Sequence, residues 1–303
     1  MSNRTWIVVP CYNEERRLDA SAFDRHLASS VDTGFVLVND GSGDGTLRVL
    51  RGVERRWPGR VAVIDQQPNA GKAEAVRVGL LHAMSAGAVY VGYLDADLAT
   101  PLDAIADFVR LLDARPGVDL VLGARVALLG RAISRSPVRH YLGRVFATTA
   151  SLVLSLPVYD TQCGAKLMRV TAELRAILGR PFGSRWIFDV ELIARYLAGP
   201  GREGSIYEMP LDQWTDVGGS RVRAKDFLRA GGEMAAIYRT YRLRRDWDAL
   251  RALVRAPFGR AMGAGTTRRT TVSNMPRPTQ VVVGAQGPTR LFEGRRRSAR
   301  ADR

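Results

Sequence analysis

Ala88-Val-Tyr-Val-Gly-Tyr-Leu-Asp95-Ala-Asp97 is the stretch on which the reading of this chain turns. Its seven apolar, β-prone residues predict a buried strand that ends abruptly in two carboxylates. In an extended chain residues i and i+2 point the same way, so Asp95 and Asp97 are expected to face one site at the carboxyl edge of a sheet. Hard oxygen ligands with no His or Cys beside them suit Mg²⁺ or Mn²⁺ rather than zinc.

Working outward, the same pattern recurs. Apolar runs at 5–10, 34–40, 60–65 and 119–123 predict further strands, separated by helical stretches at about 15–29, 46–56, 72–86 and 101–114. Alternation of this kind predicts an α/β fold, a mostly parallel Rossmann-like sheet with helices on both faces. Ligands of such sheets bind outside the carboxyl ends of the strands. The first, second, fourth and fifth strands run out into Tyr12 and Glu14, Asp40, Asp95 and Asp97, and Arg125, so the polar groups gather along one edge. The first strand is followed by Pro10-Cys-Tyr-Asn-Glu-Glu15 and has no Gly-x-Gly-x-x-Gly, which argues against a dinucleotide-binding domain. Asp40 is placed to accept from a base or ribose, Tyr12 to lie against a base, and Lys72, at a helix start, to meet an anion.

The net charge of +15 rests almost wholly on arginine, the lysines being Lys72, Lys166 and Lys225. Residues 257–303 hold ten arginines against Glu293 and Asp302, a net +8, and lack hydrophobic periodicity; a disordered basic tail is expected there. Such a balance suggests an anionic partner. Cys11 and Cys163 form no metal or redox motif, which fits a reduced, cytoplasmic setting. Neither a signal peptide nor a membrane span is expected. Two amphipathic stretches, one with Val138, Tyr141, Leu142, Val145 and Phe146 and one over about 224–245 with an arginine rim, suit either the protein's own core or peripheral contact with an anionic membrane face.

Val9-Pro-Cys-Tyr-Asn-Glu-Glu15, Val38-Asn-Asp-Gly-Ser-Gly-Asp-Gly-Thr46, Asn69-Ala-Gly-Lys72 and Asp95-Ala-Asp-Leu-Ala-Thr-Pro101 together resemble the family 2 glycosyltransferases of GT-A fold. Gly123-Ala-Arg125, Asp160-Thr-Gln-Cys-Gly-Ala-Lys166, Phe188-Asp-Val-Glu191 and Trp214-Thr-Asp-Val-Gly-Gly-Ser220 are similar to the branch acting on dolichyl phosphate. The resemblance covers about 5–245 and implies one catalytic domain over 1–255, with a nucleotide-sugar half at 1–125 and an acceptor half at 126–255. It implies an inverting, metal-dependent transfer of a sugar, glucose from UDP-glucose first and mannose from GDP-mannose second. The acceptor would be a polyprenyl phosphate, or alternatively a soluble hydroxyl compound. Pro10, Tyr12, Glu14, Asp40, Lys72 and Asp95 would hold the donor, and Asp97 with Asp95 the Mg²⁺ or Mn²⁺. Asp160, Asp189 and Glu191 are the candidate bases. Arg125, Arg135, Arg139, Gln162 and Lys166 would hold the acceptor or its phosphate. No specific nucleic acid is expected, and the rival reading is a non-catalytic nucleotide-sugar binder or a nucleic-acid binder acting through the basic tail.

Overall fold

The computed structural model describes residues 4–134, 137–199, 202–217 and 224–243. The expected tail at 257–303, and Arg135, lie outside the described residues. The elements run β1 (Thr5–Cys11), α1 (Ala20–Ser29), β2 (Thr33–Asp40), α2 (Thr46–Arg56), β3 (Val61–Gln66), α3 (Lys72–Ser85), β4 (Tyr90–Leu94), α4 (Ala104–Ala114) and β5 (Leu120–Ala124). There follow β6 (Ala132–Ser134), α5 (Pro137–Leu154), β7 (Ala165–Arg169), α6 (Ala172–Leu178), α7 (Phe188–Leu197), β8 (Ile206–Pro210), β9 (Gln213–Thr215) and α8 (Ala224–Ile237), which continues into a π-helical turn at Tyr238–Arg242.

The main sheet has the order β3-β2-β1-β4-β7-β5-β8. All its pairings are parallel except those of β7, which runs antiparallel between β4 and β5. The parallel sheet expected from the alternating pattern is therefore present. What the pattern did not show is that the chain returns at 165–169 to open a gap between two strands and fill it. The stretches before and after residue 125 thus share one sheet.

Strand periodicity explains the two-sided core. Along β1, Trp6 and Val8 pack on one face while Ile7, Val9 and Cys11 pack on the other. β2 and β4 repeat the alternation, with Val36, Val38, Val91 and Tyr93 facing α3, α6, α7 and α8. Phe35, Leu37, Tyr90 and Leu94 face α1, α2 and α4. Gly79 lets α3 lie directly on the sheet, since a Cβ there would be 2.4 Å from Val8 Cγ1. Helix starts follow local chemistry. Asp19 caps α1 by accepting from Ser21 N and Ala22 N, which also moves the helix start from the expected 15 to 20. Thr171 caps α6 through Leu174 N.

The amphipathic stretches divide between core and solvent. In α5, Ala147, Ala150 and Leu154 are buried, and Phe146 and Val153 pack against the core. Tyr141, Val145 and Leu152 stand exposed at 71%, 68% and 74%. In α8, Ala230, Met234 and Ile237 are buried. No helix among the described residues is long and apolar enough to cross a membrane.

Candidate active site

The loops after β1 and β2 are laced together. Asn13 N donates to Ser42 Oγ at 3.0 Å, Gly43 N to Asn13 Oδ1 at 2.9 Å, and Glu14 N to Thr46 Oγ1 at 2.8 Å. Asn13 adopts φ 53°, in the left-handed region that Asn tolerates. This lacing leaves Tyr12 42% exposed at the sheet edge, just past the Cys11 end of β1. Asp40, expected to meet a base or ribose, is buried. Its carboxylate accepts from Ala70 N at 2.8 Å, Gly71 N at 2.9 Å, Asn69 Nδ2 at 3.0 Å and Gln66 Nε2 at 3.3 Å. In this structure Asp40 organises the 69–71 loop that launches α3.

That loop delivers Lys72 to the carboxylate pair. Lys72 Nζ lies 2.6 Å from Asp95 Oδ1. Burial would lower the Lys72 ammonium, but Asp95, with Asp189 and Asp97, outweighs it and the pKa is raised. Asp95 and Asp97 stand just past β4, in a turn closed by Leu98 N donating to Asp95 O at 3.1 Å. Ala96 between them is buried, so both carboxylates remain toward the cleft, with side chains 38% and 27% exposed. Burial pushes Asp97 above the usual carboxylate range; the Ala99 N–H opposes the rise, Asp95 adds to it, and Arg17 and Lys72 oppose it. Gly164 backs the pair. A Cβ there would lie 2.0 Å from Asp95 Oδ2, so only glycine leaves room for that carboxylate.

These residues fit a hard divalent ion. Among the described residues no three His, Cys, Asp or Glu side chains gather as a cage. The protein offers two adjacent, partly open carboxylates instead. That is the sparse donor set from which Mg²⁺ completes its shell with substrate phosphate and water.

Beneath the pair lies a buried cluster that corrects one expectation. Lys166, expected to hold an acceptor phosphate, has a fully buried side chain. Its ammonium donates to Asp189 Oδ1 at 2.6 Å and Cys163 O at 2.8 Å. Strand β7 carries it inward because it is an interior strand, paired on both sides by β4 and β5, and the hydroxyl of Tyr93 donates to the same Asp189 oxygen. Burial, then Asp189, pushes Tyr93 well above its ordinary range. Glu191, two residues on along α7, points elsewhere. It accepts from Ser184 N and Oγ at 2.8 and 2.6 Å, Gly183 N at 3.2 Å, Arg195 Nη2 at 2.8 Å and Tyr241 Oη at 3.0 Å. Against its burial, those donors hold it below the usual range.

The remaining residues border a small open cleft lined by Arg125, Gly143, Arg144, Phe146, Ala147 and Tyr159–Gln162. Arg125 grips Asp160 through Nε at 2.6 Å and Nη2 at 2.8 Å, and lies over the Trp214 ring at 5.3 Å. Burial alone would lower its pKa; Asp160 raises it. Asp160 N and Tyr159 N are tied in turn to Glu208, at 2.6 and 2.8 Å. Arg139 lies on α5, and its side chain falls outside the described residues. Sequence reasoning missed Arg144, which stacks on Tyr159 at 3.9 Å and donates to Tyr159 O, and Arg17, 3.7 Å from Asp97. In a chain so rich in arginine, only the i, i+3 spacing of Arg17 from Glu14 set it apart.

The sheet order, the inserted antiparallel strand and the carboxylate pair at the end of β4 define a GT-A fold. The backbone matches glucosyl-3-phosphoglycerate synthase from Mycobacterium tuberculosis in complex with UDP at a TM-score of 0.54, with 17% identity over 80% of each chain. It matches the mannosyltransferase PcManGT from Pyrobaculum calidifontis, in complex with GDP-Man and Mn²⁺, at a TM-score of 0.52, with 22% identity over 82% of this chain and 64% of that one. The chain belongs to glycosyl transferase family 2, whose model spans residues 6–174. It is 32% identical to a dolichyl-phosphate beta-glucosyltransferase of Drosophila melanogaster over 78% of this chain and 74% of that protein. It is 28% identical to dolichyl-phosphate beta-glucosyltransferase ALG5C of Trichomonas vaginalis, over 77% and 70%. Identity to the polyprenol monophosphomannose synthase of Mycolicibacterium smegmatis is 26%, over 69% and 77%.

Proposed function

We propose that the protein moves a sugar, glucose from UDP-glucose in the first instance, onto the phosphate of a polyprenyl phosphate, with inversion at the anomeric carbon. Asp97 and Asp95 would hold Mg²⁺ or Mn²⁺, which as a Lewis acid offsets charge on the leaving diphosphate. Lys72, at the N-terminus of α3, adds positive charge at the same place. Tyr12, with Pro10 and Glu14, would border the nucleoside.

One observation carries the choice of acceptor. Each of the three candidate bases is already engaged by the protein: Asp160 by Arg125, Asp189 by Lys166 and Tyr93, Glu191 by Ser184 and Arg195. A hydroxyl acceptor needs a base to take its proton. A phosphate monoester, with a second pKa near 6, is largely dianionic at neutral pH and needs only to be held. The cleft beside Asp160, with Arg144 and Gln162 on its wall and Arg125 already paired to Asp160, supports that role. The names of the family relatives support the same acceptor class. The exposed row Tyr141, Val145 and Leu152 leads along α5 from this cleft and suits peripheral contact with a membrane carrying the lipid.

The test is nucleotide release from UDP-glucose and GDP-mannose with Mn²⁺ or Mg²⁺, with and without a short polyprenyl phosphate in detergent. Lipid-dependent UDP release with an extractable glycolipid is the expected result. Release that depends only on a soluble hydroxyl acceptor would overturn the reading.

A further inference from the structure

The two carboxylates of the candidate metal site each face one cation of the protein itself. Asp95 has Lys72, at 2.6 Å. Asp97 has Arg17, whose Nη2 lies 3.7 Å from Asp97 Oδ2. The two contacts differ in length, 2.6 against 3.7 Å, so Lys72 is held much closer to its carboxylate than Arg17 is to its own. The other end of the Arg17 guanidinium is no better anchored: Nη1 is 3.5 Å from Glu14 Oε1, and the buried Nε has no hydrogen-bond partner among the described residues. Arg125, by contrast, is clamped by two short bonds to Asp160 and stacked on Trp214. A guanidinium held by one long hydrogen bond costs little to move, and Glu14, already its partner at 3.5 Å, is the carboxylate on which it can close.

We propose that Arg17 is the resident counter-cation of Asp97, displaced toward Glu14 when a divalent ion takes that carboxylate. This rests on the reading above that Asp95 and Asp97 hold the ion. Arg17 is then a positioning residue. It sets a threshold for metal entry, because a cation arriving alone must compete with a charge already there. Glu14 stands in the loop after β1, laced to the 42–46 loop at the nucleoside end of the site. The displaced guanidinium therefore moves from the metal position toward the donor position.

The experiment is titration of the full-length protein with Mn²⁺ alone, without nucleotide, reading free Mn²⁺ by electron paramagnetic resonance. The proteins compared are wild type, R17Q, R17K and D97N, each with its melting temperature. R17Q is expected to bind Mn²⁺ on the order of five-fold more tightly than wild type, the effect of removing one unit charge near the carboxylate at near-aqueous dielectric. R17K, which keeps the charge, is expected to stay within about two-fold of wild type, as the same charge argument requires. Loss of Mn²⁺ binding in D97N completes the expected set. If R17Q binds Mn²⁺ no better than wild type while melting normally, or if R17K binds as tightly as R17Q, the proposal fails and the metal site stands. If D97N binds Mn²⁺ like wild type, the metal-site reading fails and takes this proposal with it.

Discussion

Lys166 Nζ and Asp189 Oδ1 lie 2.6 Å apart, with side chains 0% and 7% exposed. A buried pair of this kind is expensive to break because the surviving partner keeps its charge without water. Lys166→Ala should therefore cost about 3–5 kcal/mol of stability. Lys166→Met with Asp189→Asn should cost clearly less than the sum of the single changes. Urea denaturation of wild type, K166M, D189N and the double variant closes the cycle. Additive losses would mean that the two side chains do not depend on each other.

Gly164 is the second point of support, because its missing side chain is the space that Asp95 occupies. Gly164→Ala should push the carboxylate away from Lys72 and lower kcat by roughly 100-fold, the cost of displacing a working group by about 1 Å. Steady-state kinetics alongside a melting curve would check this. Wild-type kcat in a folded G164A protein would show that Asp95 can sit elsewhere at no cost.

His26 links the fold to pH. It is buried on α1 against Phe35, with ring centroids 5.7 Å apart, and neither ring nitrogen has a hydrogen-bond partner among the described residues. Burial lowers its pKa, with Asp103 opposing and Arg60 adding to the shift. The unfolded chain takes up this proton near pH 6.5, as a free histidine does, while the folded protein resists it until lower pH. Between those points the unfolded state binds more protons. His26 therefore makes stability fall as pH drops from about 6.5 through the folded pKa. His26→Leu should flatten that part of the profile. An unchanged slope in urea melts between pH 7 and 5 would assign the acid sensitivity to other groups.

The two thiols should be inert in the folded protein. Burial pushes Cys163 up to about 12 and raises Cys11 as well. Thiolate is the reactive form, so Ellman's reagent should label neither cysteine until denaturant is added. Rapid native labelling would place one of them at the surface.

The sheet edge that gathers these polar residues was legible in the sequence because it is written locally. Strand periodicity placed β1 to β5, and the residues just past β1, β2, β4 and β5 fall at one edge in any parallel sheet. The burial of Lys166 and the place of Arg17 beside Asp97 were not legible. Lys166 follows Cys-Gly-Ala in what reads as a loop, and nothing near it in the chain signals that it will enter the centre of a sheet. That depends on β7 pairing with Tyr90–Leu94, more than seventy residues earlier in the chain. Arg17 meets Asp97 only because β1 and β4 are neighbours in space.

By itself, then, the sequence determined the alternating α/β architecture and the carboxylate pair, since side-chain period and turn chemistry act over a few residues. Tertiary structure alone decided which charges are open to a substrate and which are already neutralised. Asp160 with Arg125, and Asp189 with Lys166, are matched across 35 and 23 residues. The physical reason is that a charge is set by whatever the fold brings within about 4 Å of it, and that distance has no fixed counterpart along the chain.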